Sequence, residues 1–257
     1  MKRIVSCFLL LTLIPSGSIY GKSRNTLEEL IYGIPQLSDI ILSRCGFSLG
    51  YSNSQRQALW VCYILSADKL IKEQTKRSNT FRIDPAVKYQ PVKPSDYTKT
   101  GYDRGHLASA ADMAYSVETM TNSFFMSNIS PQIPGCNRGI WKRLEKQVRM
   151  WAIKEQKLCV ITGPIFQPRA QTLGKTDIPI PAAFYKVILD MTPPMKMIGF
   201  IVPNETTKRR LHSFVVTVDE VEKITGYDFF RELPDEIENK LESNCNFMDW
   251  ELPALKE

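Results

Sequence analysis

The chain has 257 residues, 43% of them hydrophobic and 23% charged, which is the balance of an ordinary globular protein. The sequence contains no internal repeat and no low-complexity tract, so the solenoid and disordered classes are excluded. The net charge of +6 is unevenly distributed, since residues 219–257 carry −8 and the rest of the chain carries +14. A basic body suits a nucleic-acid partner. Charge alone, however, favours the simpler interpretation of a soluble basic surface.

The N-terminal segment predicts export. Two basic residues at 2–3 precede an apolar run at 4–14, and small residues follow at 15–18. This is the pattern of a secretory signal peptide, and the run is shorter than the roughly 20 residues that span a membrane. A mitochondrial leader would be amphipathic and rich in Arg and Ser. We therefore expect residues 1–21 to be removed, leaving a secreted or periplasmic chain at 22–257 with no membrane span.

The mature chain keeps five cysteines, an odd number. Cys62 and Cys159 lie in apolar runs and are predicted to be buried thiols, whereas Cys45 and Cys245 are a candidate disulfide pair. No two cysteines have the spacing of a zinc site, and the chain has only two histidines, so a zinc site is not expected.

Strands and helices are predicted to alternate without a linker-like break after residue 25. The predicted elements are a short helix from Thr26 to Pro35, strands at 58–65, 124–129, 158–166, 184–191, 196–202 and 213–218, and a short helix from Asp219 to Thr225. Several prolines between Asp84 and Tyr102 indicate a long ordered loop. The pattern predicts one mixed α+β domain around a mostly antiparallel sheet flanked by helices.

The clearest helix is predicted at 137–156. One apolar stripe at i, i+3, i+7 and i+10 comprises Trp141, Leu144, Val148 and Trp151. Asn137 and Glu145 would lie within about 80° of each other around this helix and so face one cavity. Each has an ordinary alternative role, because asparagine is a good helix N-cap and Glu145 can pair with Arg149 at i, i+4.

The stretch GYDRGH at 101–106 contains one of the two histidines. His106 has a side chain suited to proton transfer near neutral pH, Arg104 offers a planar fork for phosphate oxygens, and Gly105 permits a sharp turn. Asp103 would orient a neighbour or cap a turn. Taken alone, the stretch favours a loop whose histidine bonds to backbone.

The order of three motifs favours an active site instead. DRGH at 103–106 is followed by SNISPQ at 127–132 and NRGIWKRLE at 137–145. In this order and spacing the motifs resemble those of the DNA/RNA non-specific endonucleases, which are ββα-metal nucleases. Segments at 81–87, 162–166, 181–190 and 225–234 are also similar to the family, so the resemblance covers about residues 45–240.

The resemblance implies a role for each matched residue. His106 would be the general base, Asn137 the direct protein ligand of Mg²⁺, with Mn²⁺ as a substitute, and Glu145 a ligand through water. Asn128 would support the catalytic centre. Arg82 and Arg104 would contact the substrate phosphate. Arg138 is given the same role because it lies on a basic face of the helix. The other members of that face, which is a phosphate groove or a solvated surface, are Lys142, Arg143, Lys146 and Arg149.

The function implied is an exported, Mg²⁺-dependent endonuclease that hydrolyses DNA and RNA and leaves 5′-phosphate and 3′-hydroxyl ends. Relatives of this type are often dimers, so a homodimer is a candidate state. Two alternatives stay open: a catalytically silent nucleic-acid-binding module on the same fold, and an interaction protein that uses its acidic C-terminal segment. Cys136, beside Asn137, would be harmless if buried and oxidation-sensitive if exposed.

Overall fold

The structure is a computed structural model that describes residues 28–72, 74–245 and 247–250. Within these residues the strands are β1 (Ile40–Arg44), β2 (Phe47–Ser52), β3 (Gln57–Ser66), β4 (Asp103–His106), β5 (Ile129–Gln132), β6 (Lys157–Ile165), β7 (Ala183–Asp190), β8 (Lys196–Pro203) and β9 (Val215–Val216). The helices are α1 (Ala67–Ile71), α2 (Val117–Ser123), α3 (Lys142–Glu155), α4 (Val218–Thr225) and α5 (Asp235–Glu242). Short 3₁₀ turns occur at Glu28–Leu30, Pro94–Tyr97, Met126–Asn128, Leu211–Phe214 and Phe247–Trp250, and a wide helical turn, Cys136–Trp141, precedes α3.

Seven strands form the central sheet, in the spatial order β1-β2-β3-β6-β7-β8-β9, and every neighbouring pair is antiparallel. The predicted fold class, a mostly antiparallel sheet flanked by helices, is therefore confirmed. β4 and β5 pair with each other in a separate two-stranded ribbon. The ribbon followed by α3 is the ββα unit that the motifs predict.

Each face of the sheet has its own core. The predicted tryptophan stripe of α3 is buried on one face, where Trp141 packs against Phe184 and Trp151 against Phe200. On the other face α4 buries Val221 among side chains of β6, β7 and the 229–233 segment. The ββα unit and the C-terminal helices consequently lie on opposite sides of the sheet.

Two predicted strands differ from the structure. Residues 124–129 are not a strand, because the chain makes the 3₁₀ turn at 126–128 before β5 begins. β5 contains Pro131, which a two-stranded ribbon tolerates because each of its strands is an edge. The strand predicted at 213–218 is reduced to β9. The predicted N-terminal helix is a 3₁₀ turn in the described residues, and Thr26 lies outside them.

The sharp turn expected at Gly105 is also absent, since this glycine lies inside β4. A Cβ atom there would lie 2.2 Å from the Gln132 side-chain oxygen of the partner strand. The buried Gln132 side chain fills the space above Gly105, so a larger residue there would have to displace it, and a turn conformation is not involved.

The cysteines of the described residues are all free thiols, so the expected Cys45–Cys245 disulfide is wrong. Cys45 lies between β1 and β2, whereas Cys245 contacts Gly199 of β8. Five strand spacings of about 4.8 Å separate β1 from β8 in the sheet, far beyond disulfide reach. Cys62 and Cys159 are buried, as predicted, with their sulfurs 3.7 Å apart.

The predicted signal peptide at 1–21 lies outside the described residues. None of the helices in the described part of the chain is long and apolar enough to cross a membrane.

Candidate active site

His106 ends the first strand of the ribbon, in register with Ile129 of the second. Its ring is only 7% exposed and packs edge-on against Phe124, with ring centroids 4.7 Å apart. Burial, reinforced by the charge of Arg77, lowers the pKa of His106 to about 3. The imidazole is therefore neutral near physiological pH, which is the state that a general base requires. Its Nε2 atom is buried and has no hydrogen-bond partner.

Asn128 holds the chain that follows His106. Its side-chain oxygen accepts a hydrogen bond from the Ala108 amide at 2.9 Å, and its Nδ2 donates to the carbonyls of Ala108 and Ser123, each at 2.9 Å. The side chain is fully buried. Asn128 thus positions backbone and does not line the cavity described below.

Asp103, at the start of the ribbon, connects it to the helix. Its carboxylate accepts a hydrogen bond from Asn137 Nδ2 at 2.8 Å, and two from Arg138, from Nε at 2.7 Å and Nη2 at 2.6 Å. The Asn137 side chain makes no N-cap bond to the turn in which it lies, so the ordinary capping role is not found. Because Nδ2 faces Asp103, the side-chain oxygen of Asn137 is left as a potential ligand atom.

An open cavity of about 470 Å³ brings most of the predicted residues together. Its lining includes His106, Arg104, Asn137, Arg138 and Glu145, and further Arg77, Lys142 and Arg149. Five of the lining side chains are cationic and Glu145 is the one carboxylate among them. The cavity is therefore suited to an anion such as a phosphate group.

The two predicted arginines that precede the helix differ in position. Arg104 lines the cavity while its Nε and Nη2 donate to the Pro94 carbonyl at 3.2 and 2.7 Å, which fixes the guanidinium. Arg82 does not line the cavity. Its Nη2 donates to the Thr121 carbonyl at 2.6 Å, and its guanidinium lies over the Phe125 ring.

Glu145 belongs to a buried charge network at the base of the cavity. The ordinary surface pair with Arg149 is replaced by an Arg149–Asp112 ion pair, with Nη1 and Oδ1 2.7 Å apart. Burial raises the pKa of Glu145 to about 7, and the charge of Asp112 adds to the rise. Lys186 and Arg149 act in the opposite direction. Glu145 is therefore close to its titration point near neutral pH.

Lys186 is fully buried in β7, and its Nζ has no hydrogen-bond partner in the structure. The ammonium lies 4.9 Å from the centroid of the Trp141 ring. Burial lowers its pKa to about 8. It is one of three residues of this centre that sequence patterns did not identify, together with Arg77 and Asp112. A signal existed only for Lys186, a lone lysine in the apolar run AFYKVILD.

Cys136 is fully buried beside Asn137. Burial raises the pKa of its thiol to about 12, so the thiolate is disfavoured. Of the two expectations for this residue, the structure fits the unreactive thiol.

Comparison with known proteins identifies the family. Residues 26–236 match the sequence profile described as DNA/RNA non-specific endonuclease. The chain belongs to this family. Human "Endonuclease G, mitochondrial" is 32% identical over 213 residues, which are 77% of this chain and 71% of the relative. A nuclease of Nostoc sp. strain PCC 7120 is 31% identical over 211 residues, 78% of this chain and 76% of the relative.

The fold agrees with a solved structure of the same family. A chain from the crystal structure of the EndoG/EndoGI complex superposes with a TM-score of 0.77 at 27% identity, covering 84% of this chain and 95% of that one. The matched family and its nuclease relatives show that the protein is an enzyme, and that its class is the nucleases.

Proposed function

We propose that the protein is a metal-dependent endonuclease that hydrolyses phosphodiester bonds of DNA and RNA. The observation that carries the proposal is a single cavity in which a neutral imidazole, a free amide oxygen and a half-buried carboxylate lie among cationic side chains. Contacts to phosphate hold a strand without reading its bases, so little sequence preference is expected.

His106 acts as the general base. The neutral ring accepts a proton from a water that attacks the phosphorus atom in line with the leaving 3′-oxygen. Because Nε2 is buried, Nδ1 is the accepting nitrogen. The P–O3′ bond breaks, so the products carry 5′-phosphate and 3′-hydroxyl ends. No ribose 2′-hydroxyl takes part, and the same chemistry serves DNA and RNA.

Asn137 and Glu145 are suited to a divalent cation. The free oxygen of Asn137 would bind it directly, and the Glu145 carboxylate would bind through water. Such a sparse, all-oxygen donor set fits Mg²⁺, which keeps several of its waters, and Mn²⁺ as a substitute. When bound, the ion supplies neutralising charge to the phosphate and to the leaving oxygen. Family resemblance supports this assignment.

Arg104 and Arg138 contact the substrate phosphate. Arg104 is already fixed by Pro94, and Arg138 is 72% exposed at the cavity mouth while its inner edge is held by Asp103. The phosphate role expected for Arg82 is not retained in this proposal, because its guanidinium is engaged elsewhere. Asn128 is a positioning residue for His106.

We propose the same export as the N-terminal pattern predicts, with removal of residues 1–21. Relatives named as mitochondrial carry that location in their own names, whereas the leader here is apolar after Lys2 and Arg3. Mass spectrometry of the protein recovered from the periplasm or medium tests this, and a retained Met1 contradicts it. A homodimer is proposed on resemblance alone, and light scattering after gel filtration measures it.

One assay decides the activity. Supercoiled plasmid and RNA are incubated with the purified protein in Mg²⁺, in EDTA, and with His106→Ala. His212→Ala, the other histidine of the chain, is the matched control. Cleavage in Mg²⁺ by wild type and His212→Ala, and none with EDTA or His106→Ala, is expected. Wild-type protein that binds both substrates and cuts neither would establish the silent binding module instead.

A further inference from the structure

A second group of acids lies far from the cavity, on the other face of the sheet. Asp219 and Glu222 on α4 and Glu242 on α5 bring carboxylate oxygens within 4.8 Å of one another. The helices that carry them pack on the sheet face opposite α3. The cluster therefore shares no residue with the catalytic centre.

Glu242 is the member that an ordinary surface cannot explain. Its side chain is only 5% exposed, and its Oε1 atom has no hydrogen-bond partner among the residues that the structure describes. One turn earlier on α5, Oε1 of Glu238 is also buried without a partner. A buried carboxylate oxygen that lacks a donor is costly, so Glu242, whose carboxylate reaches the cluster, indicates a missing positive partner.

The surrounding charges make the lack of a positive partner for Glu242 more costly. Burial is the main cause that raises the pKa of Glu242 to about 9, and the charges that add to it are four carboxylates, those of Glu222, Glu238, Asp219 and Asp228. Burial also raises the pKa of Glu222, to about 7. Its Oε1 accepts a hydrogen bond from the Phe229 amide at 2.7 Å, which fixes the direction of its carboxylate.

We propose that Asp219, Glu222 and Glu242 form a binding site for a Ca²⁺ ion. Calcium binds six to eight oxygen ligands at about 2.3–2.6 Å, so two oxygens on one ion lie up to about 5 Å apart. The observed spacing is within that limit. Mg²⁺ holds its ligands at about 2.0–2.1 Å in a stricter geometry and fits a loose set of three carboxylates less well.

The ion would connect α5 to α4. Beyond α5, Trp250 packs against Trp151 of α3, and Lys196 Nζ of β8 donates to the Asp249 carbonyl. Neutralising the cluster therefore holds the acidic C-terminal part of the chain on the sheet. The effect is one of stability and does not depend on nuclease activity.

Calcium binding is measured in Asn137→Ala, which lacks the proposed catalytic ligand, and in wild type. Metal-free protein is titrated with CaCl₂ by calorimetry, and its melting temperature is followed. One site and a rise of about 4 °C or more at saturation are expected. Glu242→Gln should abolish both the binding and the rise. Without calcium it should melt no lower than its parent, because the amide is neutral like the protonated carboxyl that it replaces.

Glu236→Gln, an exposed position on α5, is the matched control and should keep the full response. Asp219→Asn, also exposed, tests the site without touching the core and should weaken calcium binding about tenfold or more. The proposal is overturned if the parent shows no calcium-dependent rise, or if Glu242→Gln and Asp219→Asn respond as strongly as Glu236→Gln.

Discussion

The carboxylate of Asp103 accepts a hydrogen bond from the side-chain nitrogen of Asn137 over 2.8 Å. This contact joins the first residue of the DRGH strand to the first residue of the third motif, 34 positions later. It sets which side of the Asn137 amide faces the cavity, and of the two roles expected for Asp103 the contact fits the one in which it orients a neighbour.

Replacing Asp103 by Ala should weaken cation binding. The Asn137 amide would be free to rotate, and loss of a partner that orients a metal ligand typically costs about 10–100-fold in affinity or activity. The initial rate of plasmid cleavage across a Mg²⁺ titration measures this, and the midpoint should move to higher Mg²⁺. Asp177→Ala, at an exposed surface ion pair, is the control. An unchanged midpoint and rate in Asp103→Ala would contradict the orienting role.

His106 should make folding stability fall in acid. The native ring stays unprotonated down to about pH 3, whereas in the unfolded chain it takes up a proton below about pH 6.5. Stability is therefore lost as pH falls from about 6.5, by up to about 3 kcal/mol at pH 4. In His106→Phe this loss should disappear. Urea unfolding of both proteins at pH 7 and pH 4 isolates it, and equal pH dependence in both proteins would disprove the assignment.

Lys186→Met should change both the pH dependence of the rate and the stability. The ammonium lowers the pKa of Glu145, so its removal should raise that pKa above about 7 and move the acid limb of the pH–rate profile upward. Stability at neutral pH should fall, because the substitution removes a cation that compensates the charges of Glu145 and Asp112. Lys157→Met, at a partly exposed position on the sheet, is the control. A profile that superposes on wild type would remove Lys186 from this network.

Asn128→Ala should lower both stability and turnover. The change leaves the Ala108 amide and two carbonyls without partners in a buried place, at a cost of about 2–4 kcal/mol. Because the segment after His106 loosens while the arginines that we propose to bind phosphate are untouched, kcat should fall and KM should change little. Kinetics below the melting temperature, with melting curves, test this. A selective rise in KM would argue for direct substrate contact.

The sequence predicted the central sheet well where runs of apolar residues are long. Strands at 58–65, 158–166, 184–191 and 196–202 and the stripe of the long helix are found within a residue or two, because burial on the sheet leaves a clear pattern. The ribbon was predicted only through the resemblance of its motifs, because its residues leave no such pattern. Asp, Arg, Gly and Pro are poor strand formers, and β4 and β5 depend on tertiary contacts.

The catalytic centre was predictable only as far as its motifs extend. His106, Asn137 and Glu145 meet in the cavity because the motifs place them on the ribbon and helix of one unit. Asp112 and Lys186 come from separate segments that fold against that unit, and no local spacing connects them. Arg82 lies outside the cavity lining, and its motif match is in a loop whose path a sequence does not determine.

The separate pairing of β4 with β5 makes residues 103–145 a transplantable unit. Its strands bond to each other, and Asp103 fastens them to the helix from within. Changes in the number or twist of the seven other strands should therefore leave His106 and Asn137 in the same relation. A recipient sheet would need the partners that hold the second strand, Gln57 and Asn204, and a buried cation at the place of Lys186 to lower the pKa of Glu145.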